Sequence, residues 1–335
     1  MKIEAFCTAQ NPSLPPFSAL TQRGRDDSSL LQQLDGQMDA LFGDGTEMTS
    51  ERYALIRHMQ RVAHHYSFEL SEESLAGASA WLEQSLAIAL WPDGSLRDPA
   101  GLVLFRPGSQ PDDQASLPVS PEAKIRKGLS ERRLQAQSIA VPSHLPTVAD
   151  EHQVLLRSPE DVARRTLALF LVALRAESVG AGDPIGLADM QERQPVGWAS
   201  LTPQEQDFIN DPAPPEELVM EMSWRYEALQ LLFWALGRSQ LAPPSETCDV
   251  GELVGLLLEV EESLFLAQAS LRPTPILLDA LDLHYRAHWA IRQADMTGEE
   301  IPGGLDPGVV FERHHALNWL TRFEEAPWDD VDTPT

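Results

Sequence analysis

"LVMEMSWRYEALQLLFWALG", residues 218–237, predicts a helix that has no polar side. A surface helix carries its polar residues on one face, whereas a helix that is apolar all round is enclosed by protein. The stretches "TLALFLVALR" (166–175) and "GELVGLLLEVEESLFLA" (251–267) are similarly apolar. The sequence therefore predicts a helical bundle with residues 218–237 at its centre.

Around this centre, short polar–proline signals mark four helix starts. A hydroxyl or carboxylate caps the unpaired amides of the first turn, and proline fits there because its missing N–H would be unpaired anyway. At Thr202 the signal also has Glu205 three residues later, which makes a capping box. The four predicted N-caps are Ser158, Thr202, Thr274 and Asp306, each directly before a proline.

The first hundred residues mix strand and helix signals. Apolar residues at helical spacing predict three helices, at 29–42, 51–66 and 73–84, and the histidine pair His64–His65 then lies on a helix surface. Short apolar runs predict strands at 2–6, 86–91 and 102–105. The expected fold class is α+β, mostly α: a small α/β domain at 1–105, a linker and extended segment with a short basic helix at 106–157, and a helical-bundle domain at 158–335.

Charge limits the classes of partner. The net charge is -26, from 51 acidic and 25 basic residues, and between residues 181 and 222 the only base is Arg193. Nucleic acid is excluded as a partner, since its binding depends on cations that neutralise phosphates. A strongly acidic surface attracts a basic protein instead, or it serves only solubility.

The sequence favours a cytoplasmic protein. Its two cysteines, Cys7 and Cys248, are far apart and predict neither a disulfide framework nor a thiolate zinc site. The first residues lack the apolar core of a signal peptide. The longest apolar runs are much shorter than the ~18 residues that a membrane span needs.

Two charged residues interrupt the apolar central helix. Arg225 and Glu227 point to opposite sides of it, and Glu221 lies one turn before Arg225. Buried charges need partners, because an unpaired one costs several kcal/mol (about 3–5) or changes its protonation state. One interpretation is a set of internal salt bridges that join helices. The other is a polar pocket in which Arg225 binds an anion or a carboxylate.

"LDLHYRAHWAIRQ" (281–293) raises the question of a metal. His284 and His288 lie one helical turn apart on an apolar face, and both imidazoles project to the same side, as metal ligands can. Glu312 in the next helix is the nearest candidate for a third ligand. The alternative is a pair of core histidines bonded to Glu or backbone partners, with no metal or other cofactor. In the same helix as Glu312, a polar arc of His315, Asn318 and Arg322 predicts solvent or an interface.

The tail "FEEAPWDDVDTPT" (323–335) places one large apolar residue among acids. Trp328 precedes Asp329 and Asp330. It packs the terminus against the domain, or it anchors a basic partner, since an aromatic residue ringed by charge is typical of an interface hot spot.

Several stretches together resemble a bacterial family known only as a domain of unknown function, with a WRxEALxxLxWALG core. The matching residues run through "SWRYEALQLLFWALG" (223–237), with further likeness in "RSPEDVARRTLAL" (157–169), "LDALDLHYRAHWA" (278–290), "ERHHALNWL" (312–320) and "WDDVDTPT" (328–335). The resemblance covers most of the chain and implies no activity or catalytic residue.

Two hypotheses about function follow. No nucleophile elbow, phosphate-binding loop or dinucleotide fingerprint is present. The first hypothesis is a non-enzymatic, acidic protein-binding module, an adaptor or an immunity-like neutraliser, with Arg225, Glu227, Trp328, Asp329 and Asp330 as binding residues. The alternative is an enzyme whose pocket holds His284, His288 and Glu312 near Arg225, with or without a metal. A plainer possibility beside these two is a structural subunit whose Arg and Glu pairs only specify packing.

Overall fold

The computed structural model describes residues 1–43, 48–71 and 74–335 of the chain. Contacts divide it into two compact units: unit 1 holds residues 1–125 and 149–154, and unit 2 holds 126–148 and 155–335. Unit 1 contains the β-sheet and unit 2 is helical, so the predicted α+β, mostly α fold class is confirmed. Residues 106–157, expected as a linker, contribute to both units.

Unit 1 is built on an antiparallel sheet. Its strands are β1 (Lys2–Cys7), β2 (Ala19–Gly24), β3 (His64–Glu69), β4 (Ala87–Leu90), β5 (Leu96–Arg97) and β6 (Val103–Phe105). Their order across the sheet is β2-β3-β1-β4-β5-β6. Strand β1 is central because its side chains are apolar on both faces, with Ala5 and Cys7 on one side and Phe6 on the other.

Helices cover both faces of this sheet. The helices of unit 1 are α1 (Ser28–Phe42), α2 (Ser50–Gln60) and α3 (Leu75–Gln84), and α4 (Pro121–Gln135) continues into unit 2. Trp81 and Leu82 of α3 pack on one face, and residues of α1 and α2 pack on the other with Phe6. Residue 73, where the third helix was predicted to start, lies outside the described residues.

The predicted helix over 51–66 is wrong in its last part. It ends at Gln60, and His64 and His65 belong to strand β3 rather than to a helix surface. Strand β3 pairs with β1 on one side and with β2 on the other. These two ladders satisfy the backbone between two neighbours, which outweighs the local helical spacing.

Unit 2 is a set of helices around two apolar ones. The helices of unit 2 are α5 (Pro159–Gly180), α6 (Leu187–Arg193), α7 (Pro195–Ala199), α8 (Pro203–Asn210), α9 (Glu216–Ser223), α10 (Arg225–Ala235), α11 (Val250–Leu258), α12 (Glu262–Ala267), α13 (Thr274–Thr297) and α14 (Pro307–Leu320). Helix α10 packs against both α5 and α14, which confirms its predicted central position. None of the helices in the described residues is long and apolar enough to cross a membrane.

The central stretch 218–237 forms two helices rather than the expected single one. The chain tightens at Trp224, where the amide of Trp224 donates to Glu221 O and that of Glu227 to Trp224 O, three residues apart in each case. The indole of Trp224 packs directly on Gly308 at the start of α14, where a Cβ would come within 2.6 Å of the ring. A three-residue spacing of hydrogen bonds turns the helix axis and separates α9 from α10.

Three of the four predicted helix caps are present. Ser158 and Asp306 accept amide hydrogens of the first turn of α5 and α14, and Thr202 forms the capping box with Glu205. Thr274 is not a cap: α13 already begins there, directly after Pro273, and no side chain caps it. Two prolines, Pro273 and Pro275, flank Thr274, so the first of them sets the start of the helix one residue earlier.

Candidate functional site

Helices α10 and α14 are joined by a fully satisfied buried ion pair. Arg313 Nη2 and Nε lie 2.7 and 3.0 Å from Glu227 Oε2, and Nη2 also donates to Gln230 Oε1. Nη1 donates to the carbonyl oxygens of Ala242 and Pro243, and Nη2 also lies 3.2 Å from that of Glu246. The second oxygen of Glu227 accepts the amide of Cys248 at 2.7 Å. Glu227 and Arg313 thus hold a loop to the two helices.

A second pair joins the same helices with the charges exchanged. Arg225 Nη1 of α10 lies 2.5 Å from Glu312 Oε1 of α14, and Arg225 Nη2 lies 3.4 Å from Glu221. Among the described residues, Glu312 Oε2 has no hydrogen-bond partner. Burial raises the pKa of Glu312, which Arg225 only partly offsets. Internal salt bridges, one of the two interpretations of Arg225 and Glu227, are therefore present.

The histidines of α13 meet α14 at a different place from Glu312. His288 Nδ1 lies 3.0 Å from His314 Nδ1, and His284 Nδ1 lies 2.7 Å from its own helix, at Ala280 O. Burial lowers the pKa of His284 and of His288 to about 4, and it also lowers that of His314 well below its usual range, so all three are neutral at pH 7.

The structure separates the residues proposed as a metal or catalytic site. His288 faces His314, whereas Glu312 faces Arg225. Residues 312 and 314 are two apart on α14 and differ in direction by about 200°. Within residues 1–43, 48–71 and 74–335, no three His, Cys, Asp or Glu side chains are grouped as a metal ion would require.

The sequence predicts a polar arc on α14 that faces solvent or an interface, and of its three residues only Arg322 is partly exposed. Asn318 is 3% exposed and His315 is also buried. The ring centre of Trp328 lies 4.6 Å from that of His315 and 5.5 Å from that of Trp319, and Asn318 Nδ2 donates to Asp332 O. Burial lowers the pKa of His315 to about 4, and the nearby charge of Arg225 contributes. The C-terminal residues thus bury His315 and Asn318, which helix periodicity alone places on the outside of α14.

Trp328 is buried, whereas Asp330 is exposed and Asp329 half-buried. The tryptophan therefore packs the terminus against the unit, and it offers no exposed anchor in this conformation.

Two buried ion pairs were not predicted from the sequence. Arg165 of α5 lies 2.5 Å from Glu205 of α8, and Arg286 of α13 donates to both oxygens of Asp282 at 2.8 and 2.9 Å. Glu205 also completes the capping box, so one carboxylate serves two functions. The signal for Arg165 was its place in an otherwise apolar helix, which is the argument that identified Arg225.

The outward sides of three short helices form an acidic surface. Helices α8 and α9 pack on α5, and Met190 of α6 belongs to the same apolar cluster. Their exposed acids, called here the acidic surface, are Asp189, Glu192, Asp207, Glu216, Glu217 and Glu221. Arg193 is the only base between residues 181 and 222.

Unit 1 has a shallow apolar cavity of about 150 Å³. It is lined by Ile3, Leu70, Leu82 and Trp91 among others, and by Asp98. Both oxygens of Asp98 already accept backbone amides, from residues 102 and 116. The cavity thus offers apolar walls and few free polar groups.

Residues 126–331 match a family described as "Domain of unknown function (DUF4272)". The match spans more than half of the chain, so the chain belongs to this family. The predicted likeness to a family of unknown function is confirmed at that level. A search of curated proteins and a search of solved structures found no significant match.

Proposed function

We propose that this member of the DUF4272 family is a non-enzymatic binding protein of the bacterial cytoplasm that engages a basic protein through its acidic surface. An adaptor and a neutraliser of a basic toxin both fit this description. The observation that carries the proposal is the distribution of charge in unit 2. Acids inside the unit have partners, whereas the exposed acids of α6, α8 and α9 face solvent, and of these only Glu221 lies beside an arginine in the described residues.

The buried acids of unit 2 are each used within the fold. Glu205, Glu227, Asp282 and Glu312 pair with arginines. Glu262 accepts the amides of Val196 and Gly197 at the start of α7. These carboxylates serve packing, so binding is assigned to the exposed ones. Glu227, named from the sequence as a binding residue, belongs to the buried set, and Arg225, also named, is half-buried and pairs with Glu312 and Glu221.

A surface of one charge acts on a basic partner before contact. Its field raises the rate of association, and it disfavours partners of like charge. Exposed charges are screened by salt over about 8 Å at physiological ionic strength, so the interaction should weaken as salt rises. Salt dependence is thus the signature of this kind of binding.

The two cysteines support the proposed cytoplasmic location. Cys7 and Cys248 are both buried and free. Burial raises the pKa of Cys248 to about 12, which keeps it a neutral thiol. Unpaired buried thiols are usual in a reducing compartment.

The test is a capture from a lysate of the host, followed by titration with the purified protein that is identified. The tagged chain is compared with D207N/E216Q/E217Q, which removes three charges from the acidic surface and leaves Glu221 beside Arg225. We expect a basic protein that binds the unaltered chain in 50 mM salt, elutes as salt rises, and binds the variant at least about tenfold more weakly.

The matched control is D295N/E299Q/E300Q. It removes the same number of exposed charges at the end of α13 and should bind as the unaltered chain does. Equal loss in both variants would mean a general charge effect and no acidic binding surface. Binding that does not respond to either variant would place the interface elsewhere.

A further inference from the structure

The last thirteen residues lie on unit 2 as a strap. The strap, residues 323–335, has no α-helix or strand, only two short 3-10 turns. Three of its side chains are buried, Trp328, Val331 and Thr333. The strap is therefore held by a few anchors rather than by a continuous backbone ladder.

Trp328 sits in a slot of three side chains, called here the aromatic slot. The guanidinium of Arg165 lies 5.1 Å from the centre of its ring, and His315 and Trp319 contact it edge to face. A cation over the face of an indole and aromatic edges around it are the features that select an aromatic side chain. The slot is thus specific for the kind of residue that fills it.

The unit also holds the main chain of the strap. Arg157 Nη2 donates to Ala326 O at 2.6 Å, and Asn318 Nδ2 donates to Asp332 O at 2.9 Å. Asn318 is almost completely buried. Side chains that bind carbonyl oxygens recognise the main chain of a peptide whatever its sequence, while the slot between them recognises the tryptophan.

The hinge between α14 and the strap is in a disfavoured conformation. Arg322, Glu324 and Glu325 have φ angles of 52°, 57° and 56°. Side chains other than glycine rarely adopt this left-handed region, because Cβ comes too close to the carbonyl oxygen. Such conformations are typical of segments that change state, and release of the strap would relieve them.

Two polar atoms beneath the strap have unused hydrogen-bonding capacity. Within the described part of the chain, neither Arg165 Nε nor His315 Nε2 has a hydrogen-bond partner. Both residues belong to the aromatic slot, so opening of the strap would present a donor and a second polar nitrogen beside the apolar seat of Trp328.

The geometry points to a peptide-binding site that the strap occupies in cis. The strap opens at Arg322–Glu325 without unfolding of the helices, and the aromatic slot then binds a partner peptide that presents a tryptophan between two accepting main-chain carbonyls. The strap itself presents such a tryptophan in "PWDD", residues 327–330. This site is separate from the acidic surface and does not depend on it.

Hydrogen exchange of the unaltered chain gives the first test. Amides of residues 326–333 should exchange at least about tenfold faster than those in the middle of α14, because the strap opens alone. Equal rates in the strap and in α14 would overturn the proposal, since the segment would then open only with the helix beneath it.

Peptide binding gives the second test, with the full chain carrying Trp328→Ala. A labelled peptide of residues 321–335 is titrated and its fluorescence anisotropy is measured. We expect saturable binding to W328A at least about tenfold tighter than to the unaltered chain, where the cis strap competes at an effective concentration in the millimolar range. The same peptide with alanine at position 328 should not bind.

A Trp289→Ala chain is the matched control, because Trp289 is half-buried in α13 and outside the slot. It should bind the peptide as weakly as the unaltered chain does. Absence of binding to a folded W328A chain, or equal binding of both peptides, would overturn the proposal. If W328A does not fold, the hydrogen exchange of the unaltered chain decides.

Discussion

The two ion pairs between α10 and α14 use the same residue types in opposite environments. In one, Arg313 is completely buried and every side of it has an acceptor, from Glu227 to three carbonyl oxygens. In the other, the side chain of Arg225 is 14% exposed, and Glu312 Oε2 has no partner among the described residues. The loop of residues 242–248 supplies the remaining partners of the first pair. The second pair lies near His315, which belongs to the aromatic slot.

The number of hydrogen bonds that a pair has left unmade indicates its role better than its burial does. A buried pair with all its hydrogen bonds made is costly to break and has nothing left to offer a ligand. A pair with an unused oxygen and a partly exposed arginine can accept another group. The predictions below test the contrast, from the largest expected effect to the smallest.

Acid should lower the free energy of unfolding, because buried neutral histidines lie near both ion pairs. The pKa of His284, His288 and His315 is lowered by burial to about 4, below the 6.5 of an unfolded histidine. The unfolded chain therefore takes up protons first, and stability falls as pH drops from about 6.5 toward 4, by up to roughly 1.4 kcal/mol per pH unit for each histidine. Urea midpoints between pH 8 and pH 5 measure it. A midpoint that stays constant below pH 6.5 would contradict the prediction.

Arg313→Met should be the most harmful single change. It leaves Glu227 buried without its charge partner, and breaking such a pair costs about 3–5 kcal/mol. Urea unfolding followed by helical circular dichroism gives the loss. Arg292→Met, at an exposed position of α13, is the control and should cost less than about 0.5 kcal/mol. Similar losses for the two variants would mean that the closed pair contributes little.

Arg225→Met should cost less, about 1–3 kcal/mol, because Glu312 can take up a proton instead of remaining an unpaired charge. Burial already raises the pKa of Glu312. The cost should therefore be smaller at pH 5 than at pH 8, since protonation is easier at lower pH. Unfolding free energies of the variant and the unaltered chain at both pH values test this. A cost that does not fall toward pH 5 would show that the carboxyl stays charged.

Glu221→Gln should have the smallest effect, within about 0.5 kcal/mol, because an exposed ion pair contributes little. The side chain of Glu221 is 61% exposed and its distance to Arg225 is 3.4 Å. Thermal unfolding at low and at high salt measures the change. A loss as large as that of Arg225→Met would mean that Glu221, and not Glu312, is the main partner of Arg225.

Local patterns predicted much of the fold. The caps at Ser158, Thr202 and Asp306 lie where the sequence placed them, because a cap and its helix are only a few residues apart. The strand at His64–Glu69 was missed, since its stability comes from two partners that are distant in the chain. Hydrogen bonds between distant strands leave no local signal.

The candidate site was only partly predictable for the same reason. Arg225, Glu312 and the histidines could be recognised as buried polar groups from their apolar neighbours. Their partners could not, because helix spacing gives the direction of a side chain and not the element that it meets. Asn318 and His315 were misjudged for this reason, since the strap that covers them comes from beyond the helix.

The sequence by itself determined the acidic charge, the positions of most helices and the enclosure of α5 and α10. These properties depend on composition and on residues within a turn or two of each other. The prediction that 251–267 is enclosed in the same way is wrong, because α11 and α12 expose Leu256, Leu258 and Leu264. Tertiary structure decided the rest: that Glu227 is closed by Arg313, that Glu312 faces Arg225 and not the histidines, and that Trp328 fills a slot. Contacts between distant residues depend on how helices pack, and packing is a property of the whole unit.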